Sequence, residues 1–301
     1  MKLADHAGHA LARRAVLDPR IVVLDGDLAD SDGAMHFAHA HPERFFAAGI
    51  AEQNMVCVAA GMAECGWRPS VFSFAAFLCY RAYDQVRVSL SQASMPVTLV
   101  ASHAGGLSGR NGKTHAAPND VAIMLGLPHM DVWAPADQAD VEFALAEVGR
   151  SQAPSYIRLP RTPLGERDAL PGEAAAFRFL RPARRTLLVS TGLATHWAMA
   201  AARELEALGI DVGVLHLARI TPDLPAGLAL AGVERSFVIE DHVPHGGLAS
   251  HARSWAGLGE VTGITWPADF CGKSGSDDEV RAEHGLDAPA IAARVARALR
   301  A

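Results

Sequence analysis

The run Gly49-Ile50-Ala51-Glu52-Gln53-Asn54-Met55 puts a carboxylate in the first turn of a segment whose next residues, Met55, Val56, Val58, Ala59 and Ala60, are apolar on nearly every side. Such an acid either caps the helix, which the positive end of the helix dipole favours, or is a buried acid kept for proton chemistry. By residue type alone, capping is the commoner use. Further on, Ser102-His103-Ala104-Gly105-Gly106 and Gly109-Arg110-Asn111-Gly112-Lys113-Thr114-His115 set two histidines on neighbouring glycine-rich loops. A lone histidine is more often a satisfied polar residue than a catalyst. Two of them beyond the carboxyl end of a parallel strand lie where open α/β sheets bind ligands, and there they can orient a substrate and assist proton transfers. By residue type Phe72, Phe74 and Phe77 read as core, Phe72 most plainly because it lies inside a strand. Asp25-Gly26-Asp27-Leu28-Ala29-Asp30-Ser31 closes another apolar run and opens a loop at the same edge. His36, His39 and His41 read as solvated loop residues, with a metal site as the alternative.

These side chains need a sheet to align them. Short runs of branched apolar residues alternate with helix-period segments, the pattern of a parallel sheet covered by helices. Strands are expected at 21–25, 71–74, 97–102, 130–134 and 155–159, and helices at 3–17, 51–65, 76–91 and 136–148. Each strand is almost continuously apolar, as strands buried on both faces are. Between 160 and 182 the pattern lapses among Pro160, Pro163, Pro171 and Pro182. A second set then begins, with strands at 186–190, 210–215, 235–240 and 261–264 and helices at 194–208, 247–256 and 288–299. The fold class is α/β in two doubly wound domains: 1–165, a linker over 166–183, and a smaller domain over 184–301.

The 301 residues are 50% hydrophobic and 20% charged, which excludes a disordered chain or a disulfide mini-scaffold. Lys and Arg number 27 against 33 Asp and Glu, a net charge of −6 with no basic block. Nucleic acid and anionic membrane are therefore poor partners, and a small molecule or a protein is the expected one. Cys57, Cys65, Cys79 and Cys271 form no CxxC pair, and the first three sit in apolar helical pattern, so buried free thiols and a reducing cytoplasm are expected. The first residues carry no apolar core before a cleavage site, and the longest uncharged stretch is broken by Ser, Pro, His and Gly, so a soluble, unprocessed chain is expected.

Taken together, the Glu52 segment, Ser73-Phe74-Ala75-Ala76-Phe77-Leu78-Cys79-Tyr80-Arg81-Ala82-Tyr83-Asp84-Gln85-Val86-Arg87 and the two histidine loops resemble the pyrimidine-binding domain of the transketolase family. The likeness runs from about residue 20 to 161. More loosely, Glu240-Asp241-His242 and Gly246-Gly247-Leu248 are similar to that family's C-terminal domain, and the whole looks like the C-terminal subunit of a split, two-gene transketolase. The resemblance implies thiamine diphosphate as cofactor. Glu52 would be the acid bonded to N1′ of its aminopyrimidine, in a site whose desolvation raises the carboxyl pKa. Phe77 would stack on the pyrimidine, Phe74 would line the pocket, and Asp27 would lie near the cofactor at the subunit interface. His103 and His115 would face the sugar, Ser31 a substrate phosphate. Arg81, Tyr83, Asp84 and Arg87 would be structural or interfacial, and the second domain would serve assembly, with His245 as a residue that reaches the site.

The family's Gly-Asp-Gly motif, followed by Asn, which holds magnesium diphosphate, is only mimicked by Gly26-Asp27 and Asn54. The third position is Leu28, and Asn54 shares the helix of Glu52. The resemblance thus implies an N-terminal partner subunit that supplies the Mg²⁺-diphosphate half through hard oxygen ligands, in an α2β2 heterotetramer. Three departures bear on substrate. Asn111 stands where an acid normally contacts the donor, Lys113 where proline is usual, and Ala4 where an arginine grips phosphate. Arg158 is then the expected phosphate clamp, with Arg110, Lys113 and Arg161 able to compensate. The implied reaction moves a two-carbon ketol unit from a ketose or ketose phosphate to an aldehyde, with substrates other than the standard pentose phosphate pair. The rivals are the β subunit of a 2-oxo-acid dehydrogenase first component, which the Gly-Lys-Thr-His loop disfavours, and a deoxyxylulose-phosphate-synthase-like enzyme, where arginine stands in place of His103. A catalytically silent regulatory or scaffold subunit is the reading outside enzymes.

Overall fold

A computed structural model describes residues 1–164 and 168–300; the expected boundary at 165/166 falls outside the described residues. In order, the first half contains α1 (Leu3–Leu17), β1 (Ile21–Asp25), α2 (Ala29–Asp32), α3 (Met35–Ala40), β2 (Phe45–Ala47), α4 (Glu52–Glu64) and β3 (Arg68–Phe74). An irregular helical stretch with α5 (Tyr83–Gln85) at its centre leads to β4 (Thr98–Ser102), α6 (Asp120–Leu125), β5 (Asp131–Trp133), α7 (Gln138–Val148) and β6 (Ser155–Arg158). The second half contains β7 (Phe177–Arg181), β8 (Thr186–Thr191), α8 (Ala194–Ala207), β9 (Gly213–Leu217), β10 (Arg219–Ile220), β11 (Arg235–Ile239), α9 (Leu248–Ala252), β12 (Glu260–Ile264), α10 (Asp277–Glu283) and α11 (Ala288–Arg300).

Two mainly parallel sheets result, ordered β10-β5-β6-β4-β3-β1-β2 and β12-β11-β8-β9-β7. β1 is buried at every position and pairs in parallel with β2 and β3, so its carboxyl end and those of β3 and β4 open on one edge. That edge carries the loops with Asp27, Phe77 and His103. The two halves are sewn together. β10, from the second half, adds antiparallel to β5 as the edge of the first sheet. A single apolar cluster joins Trp133 and Ile157 to Leu188, Trp197 and Trp266, which makes independent swinging of the halves costly. Buried polar contacts reinforce it: the Arg178 guanidinium pairs with Asp137 at 3.0 Å and Asp140 at 3.1 Å, and His216 Nε2 lies 2.9 Å from Asp140 Oδ2.

Three sequence expectations change. The stretch expected as linker holds β7, an antiparallel edge strand on β9, where nearby prolines cost no ladder bonds. The expected helix over 76–91 is broken into π turns, Phe77–Arg81 and Val86–Gln92, flanking α5. In the first, the Ala82 N–H reaches back to the Phe77 carbonyl at 3.1 Å, the i→i+5 pattern found often at functional sites. Of the cysteines, only Cys79 is buried; Cys57, Cys65 and Cys271 are exposed free thiols. Among the described residues, no helix is long and apolar enough to cross a membrane.

Candidate active site

Glu52 opens α4 and is only 1% exposed. It is not a cap for its own helix. Its Oε2 accepts from Arg81 Nη1 at 2.7 Å and its Oε1 from Ser73 Oγ at 3.3 Å, so the carboxylate faces β3 and the π turn. Gly26, just past β1, packs beside it: a β-carbon there would make only ordinary contacts, 3.4 Å from Ser73 Oγ and 3.7 Å from Glu52 Cγ. The Arg81 guanidinium also lies 4.2 Å from the centroid of Phe77. A planar, nitrogen-rich cation thus sits over one ring while donating to a buried carboxylate.

The rings continue from there. Phe74 stacks on Phe77 at 5.7 Å and on His103 at 3.9 Å, while His115 meets both phenylalanines edge-on at 5.9 and 5.3 Å. Glu52, Phe74, Phe77, His103 and His115, read from segments up to 63 residues apart in sequence (52 to 115), therefore form one cluster. Phe72 is wholly buried in β3, as expected of a core residue.

His103 follows β4 with φ of +55° and is nearly buried. Burial above all, helped by the positive charges of Lys2 and Arg161 and by His115, pushes its pKa down to about 3. It is a neutral imidazole at physiological pH, suited to directing hydrogen bonds rather than to shuttling protons near pH 7. His115 Nδ1 lies 2.8 Å from Thr114 Oγ1, at the end of a 3₁₀ stretch, Gly109–Thr114, that leaves Asn111 exposed.

Asp27 and Ser31 line a neighbouring cleft of about 330 Å³ with Asp25, Met35 and Phe45. Lys2 Nζ donates to the Ser31 carbonyl at 3.2 Å, so a cation does reach this edge although Ala4 is buried in the core. Arg110 and Arg161 line a second cleft of about 630 Å³ opposite the start of α10, where Arg161 faces Asp277 at 3.8 Å. Arg158 is a correction. Its guanidinium is buried, bonded through Nε to Asp120 at 2.8 Å and through Nη2 to the Asp241 carbonyl at 3.0 Å, and so it is occupied in joining the halves. His245 is exposed on a loop whose Gly246 packs near Ala122 of α6, and among the described residues it bonds none of the site residues. His36 stacks on His9 and faces Asp5 at 3.6 Å, and His41 bonds the Ala12 carbonyl at 2.9 Å, so these two are packing residues between α1 and α3.

Beneath the Asp27 loop sits a pair of carboxyl groups that the residue pattern did not reveal. Asp25 Oδ1 accepts from the Leu28 N–H at 3.0 Å and Asp32 Oδ1 from the Ala34 N–H at 3.1 Å. Their remaining buried oxygens find no donor elsewhere in the described chain and bond each other through a shared proton. Burial, reinforced by the charge of Asp25, pushes Asp32 up to about 9. The folded chain thus keeps a proton that the unfolded chain releases near pH 4. The stability this contributes is complete below about pH 4 and is lost as pH climbs toward about 9. Asp32→Asn keeps the bond to Ala34 and supplies a permanent N–H toward Asp25. Urea unfolding should show it more stable than wild type by about 1–3 kcal/mol at pH 8, with the gain shrinking toward pH 4.

Against this geometry the comparisons with known proteins are consistent with one another. The family model for the transketolase pyrimidine binding domain matches residues 1–166, and that for the transketolase C-terminal domain matches residues 175–291. A transketolase family protein of Sinorhizobium fredii is 38% identical over 248 residues, covering 80% of this chain and 71% of its own. A transketolase C-terminal section of Methanocaldococcus jannaschii is 32% identical over 283 residues, 91% of this chain and 89% of its own. The 1-deoxy-D-xylulose-5-phosphate synthase 1 of Geobacter metallireducens is 32% identical over 96% of this chain, which spans only 47% of that enzyme. Among solved structures, a split gene transketolase in an inactive β4 tetramer superposes with a TM-score of 0.88 at 32% identity, covering 100% of this chain and 99% of that one. The chain belongs to the transketolase family, with a pyrimidine-binding domain followed by a transketolase C-terminal domain.

Proposed function

We propose that this chain is the pyrimidine-binding subunit of a two-component, thiamine-diphosphate-dependent transketolase. It moves a two-carbon ketol unit from a ketose or ketose phosphate to an aldehyde, and acts only with an N-terminal subunit that holds Mg²⁺ and the diphosphate, in an α2β2 assembly. The observation that carries the reading is the place taken by Arg81. A planar group that donates an N–H to Glu52 and sits over the face of Phe77 makes the two contacts an aminopyrimidine needs, so the residues fit that group. Arg81, two-fifths exposed, can swing into solvent when the ring enters.

Thiamine diphosphate, when bound, supplies the carbon nucleophile and electron sink of ketol transfer. This chain does the rest at the pyrimidine end. Glu52 shares a proton with the ring nitrogen N1′, Phe77 and Phe74 fix the ring plane, and Asp27 borders the same edge. His103, held neutral, and His115 hydrogen-bond the sugar; Ser31 and Asn111 border its path. With Arg158 committed to Asp120, Lys2 and Arg161, whose charges reach His103, join Arg110 and Lys113 as cations available to an anionic substrate group. The name of the split gene relative supports the two-subunit reading. Free thiols suit a reducing cytoplasm.

The test is reconstitution with the product of the neighbouring gene that carries the Gly-Asp-Gly half. The expected result is no turnover by either chain alone, ketol transfer by the pair, and poorer use of xylulose 5-phosphate with ribose 5-phosphate than of another ketose–aldehyde pair. Decarboxylation of pyruvate by the pair would instead place the chain with the synthase or dehydrogenase reading.

A further inference from the structure

The loop that carries His103 is threaded through the second domain. Gly105 has φ of +84°, and a β-carbon there would fall 1.9 Å from Asp241 Oδ2. The next N–H, of Gly106, donates to Asp241 Oδ1 at 2.8 Å. The same oxygen accepts from the indole N–H of Trp266 at 2.6 Å. A β-carbon on Gly106 would meet Trp266 at 2.6 Å and Phe270 at 2.8 Å, so the backbone runs between a carboxylate and a stacked pair of rings 4.4 Å apart. Asp241 is itself anchored, because its carbonyl accepts from Arg158 at the end of β6 and the Trp266 backbone N–H bonds the His242 carbonyl at 3.0 Å. On the other side, Ala104 N–H bonds the Leu159 carbonyl at 3.0 Å and Ala117 N–H the Gly105 carbonyl at 2.8 Å. Three residues after a non-glycine residue in the left-handed region, the chain is fixed from both halves of the molecule.

We infer that Asp241 is a positioning residue: through Gly105 and Gly106 it holds His103 in its strained, left-handed backbone conformation against Phe74, so that the second domain shapes the substrate side of the site. The left-handed conformation of His103 is strained and persists only where its surroundings over-determine it. Asp241 supplies the part of that surrounding that comes from the second domain. Both glycines are required for the same reason, since any side chain at either would displace the carboxylate or the indole. The consequence for turnover rests on the reading of His103 as a substrate-facing residue; the dependence of the loop on Asp241 does not.

The experiment therefore reads His103 directly in the isolated chain. Its modification by diethylpyrocarbonate is followed by peptide mass spectrometry, with His41, packed between α1 and α3, as internal control. In wild type, His103 reacts slowly because it is buried. Asp241→Ala is expected to speed its reaction about tenfold or more by opening the loop locally, leaving His41 unchanged. Asp241→Asn, which keeps an oxygen for both N–H groups, restores slow reaction. In the reconstituted enzyme Asp241→Ala raises KM for sugar and lowers kcat while binding of thiamine diphosphate stays the same. If Asp241→Ala is recovered unfolded, with His41 accelerated as well, Trp266→Phe carries the test: it removes one donor from the same oxygen while keeping an aromatic ring, and a smaller acceleration confined to His103 supports the inference. An unchanged His103 rate in the folded variants overturns it. Normal loop opening with no ketol transfer by wild type would count against the proposed function and leave the positioning role standing.

Discussion

Replacing Glu52 by alanine is expected to lower turnover of the reconstituted enzyme by a factor of about 10²–10⁴, the usual contribution of a positioned proton-transfer group, while the chain keeps its fold. The structural cost is small for identifiable reasons. Arg81 loses its partner but is exposed enough to be solvated, and the bond from Ser73 is long at 3.3 Å. Helix α4 loses one acid from its first turn, worth about 0.3–1 kcal/mol. Glu52→Gln sharpens the reading, because the amide fits the same space and still accepts from Ser73 but cannot hold a negative charge or give up a proton. Both variants should unfold within a few degrees of wild type in a thermal scan and both should show this loss of turnover. Full activity in Glu52→Ala would remove the catalytic assignment and favour the scaffold reading of the chain.

Arg158→Met should have the largest effect on stability. It strands the buried Asp120 carboxylate, whose Oδ2 accepts from Arg158 at 2.8 Å and from the Tyr156 hydroxyl at 2.9 Å, while its Oδ1 has no donor in the described chain. Removing one member of a buried pair costs about 3–5 kcal/mol, because the other charge stays desolvated. The Asp241 carbonyl loses its donor too, so the junction between the halves loosens at the His103 loop. Urea unfolding should show a lowered midpoint, and adding Asp120→Asn should recover much of the loss. A substrate phosphate clamp would behave otherwise, with KM raised and the unfolding midpoint unmoved.

The five inner strands of the first sheet, β1 and β3–β6, were legible because each is largely buried and so announces itself as a short, nearly continuous apolar run, whereas the more exposed edge strands β2 and β10 were not. β1 begins and ends where the residues indicate. Strand β7 was not, since Phe177-Arg178-Phe179-Leu180-Arg181 lies among prolines and its place is decided by pairing with β9, some 35 residues later. The π turns were hidden for a related reason: an extra residue in a helical turn leaves the apolar pattern almost intact while rotating the side chains beyond it about the helix axis. Hence Arg81 read as an interface residue although it lies on Glu52 and Phe77.

For this protein, then, the order of residues was enough to define the fold class, the family and the five side chains that cluster: Glu52, Phe74, Phe77, His103 and His115. Those depend on local periodicity and on residue types at fixed spacing, which a linear chain records. What the charged residues are for emerged only when distant segments met in the folded chain. Folding gave Arg158 to Asp120, brought Lys2 to Ser31, joined Asp25 to Asp32 over one proton, and set Asp241 against Gly106 from 135 residues away. A charged side chain is flexible, and its energy depends on the partner and the burial it meets, so its task is fixed by the approach of remote parts of the chain and leaves no periodic trace.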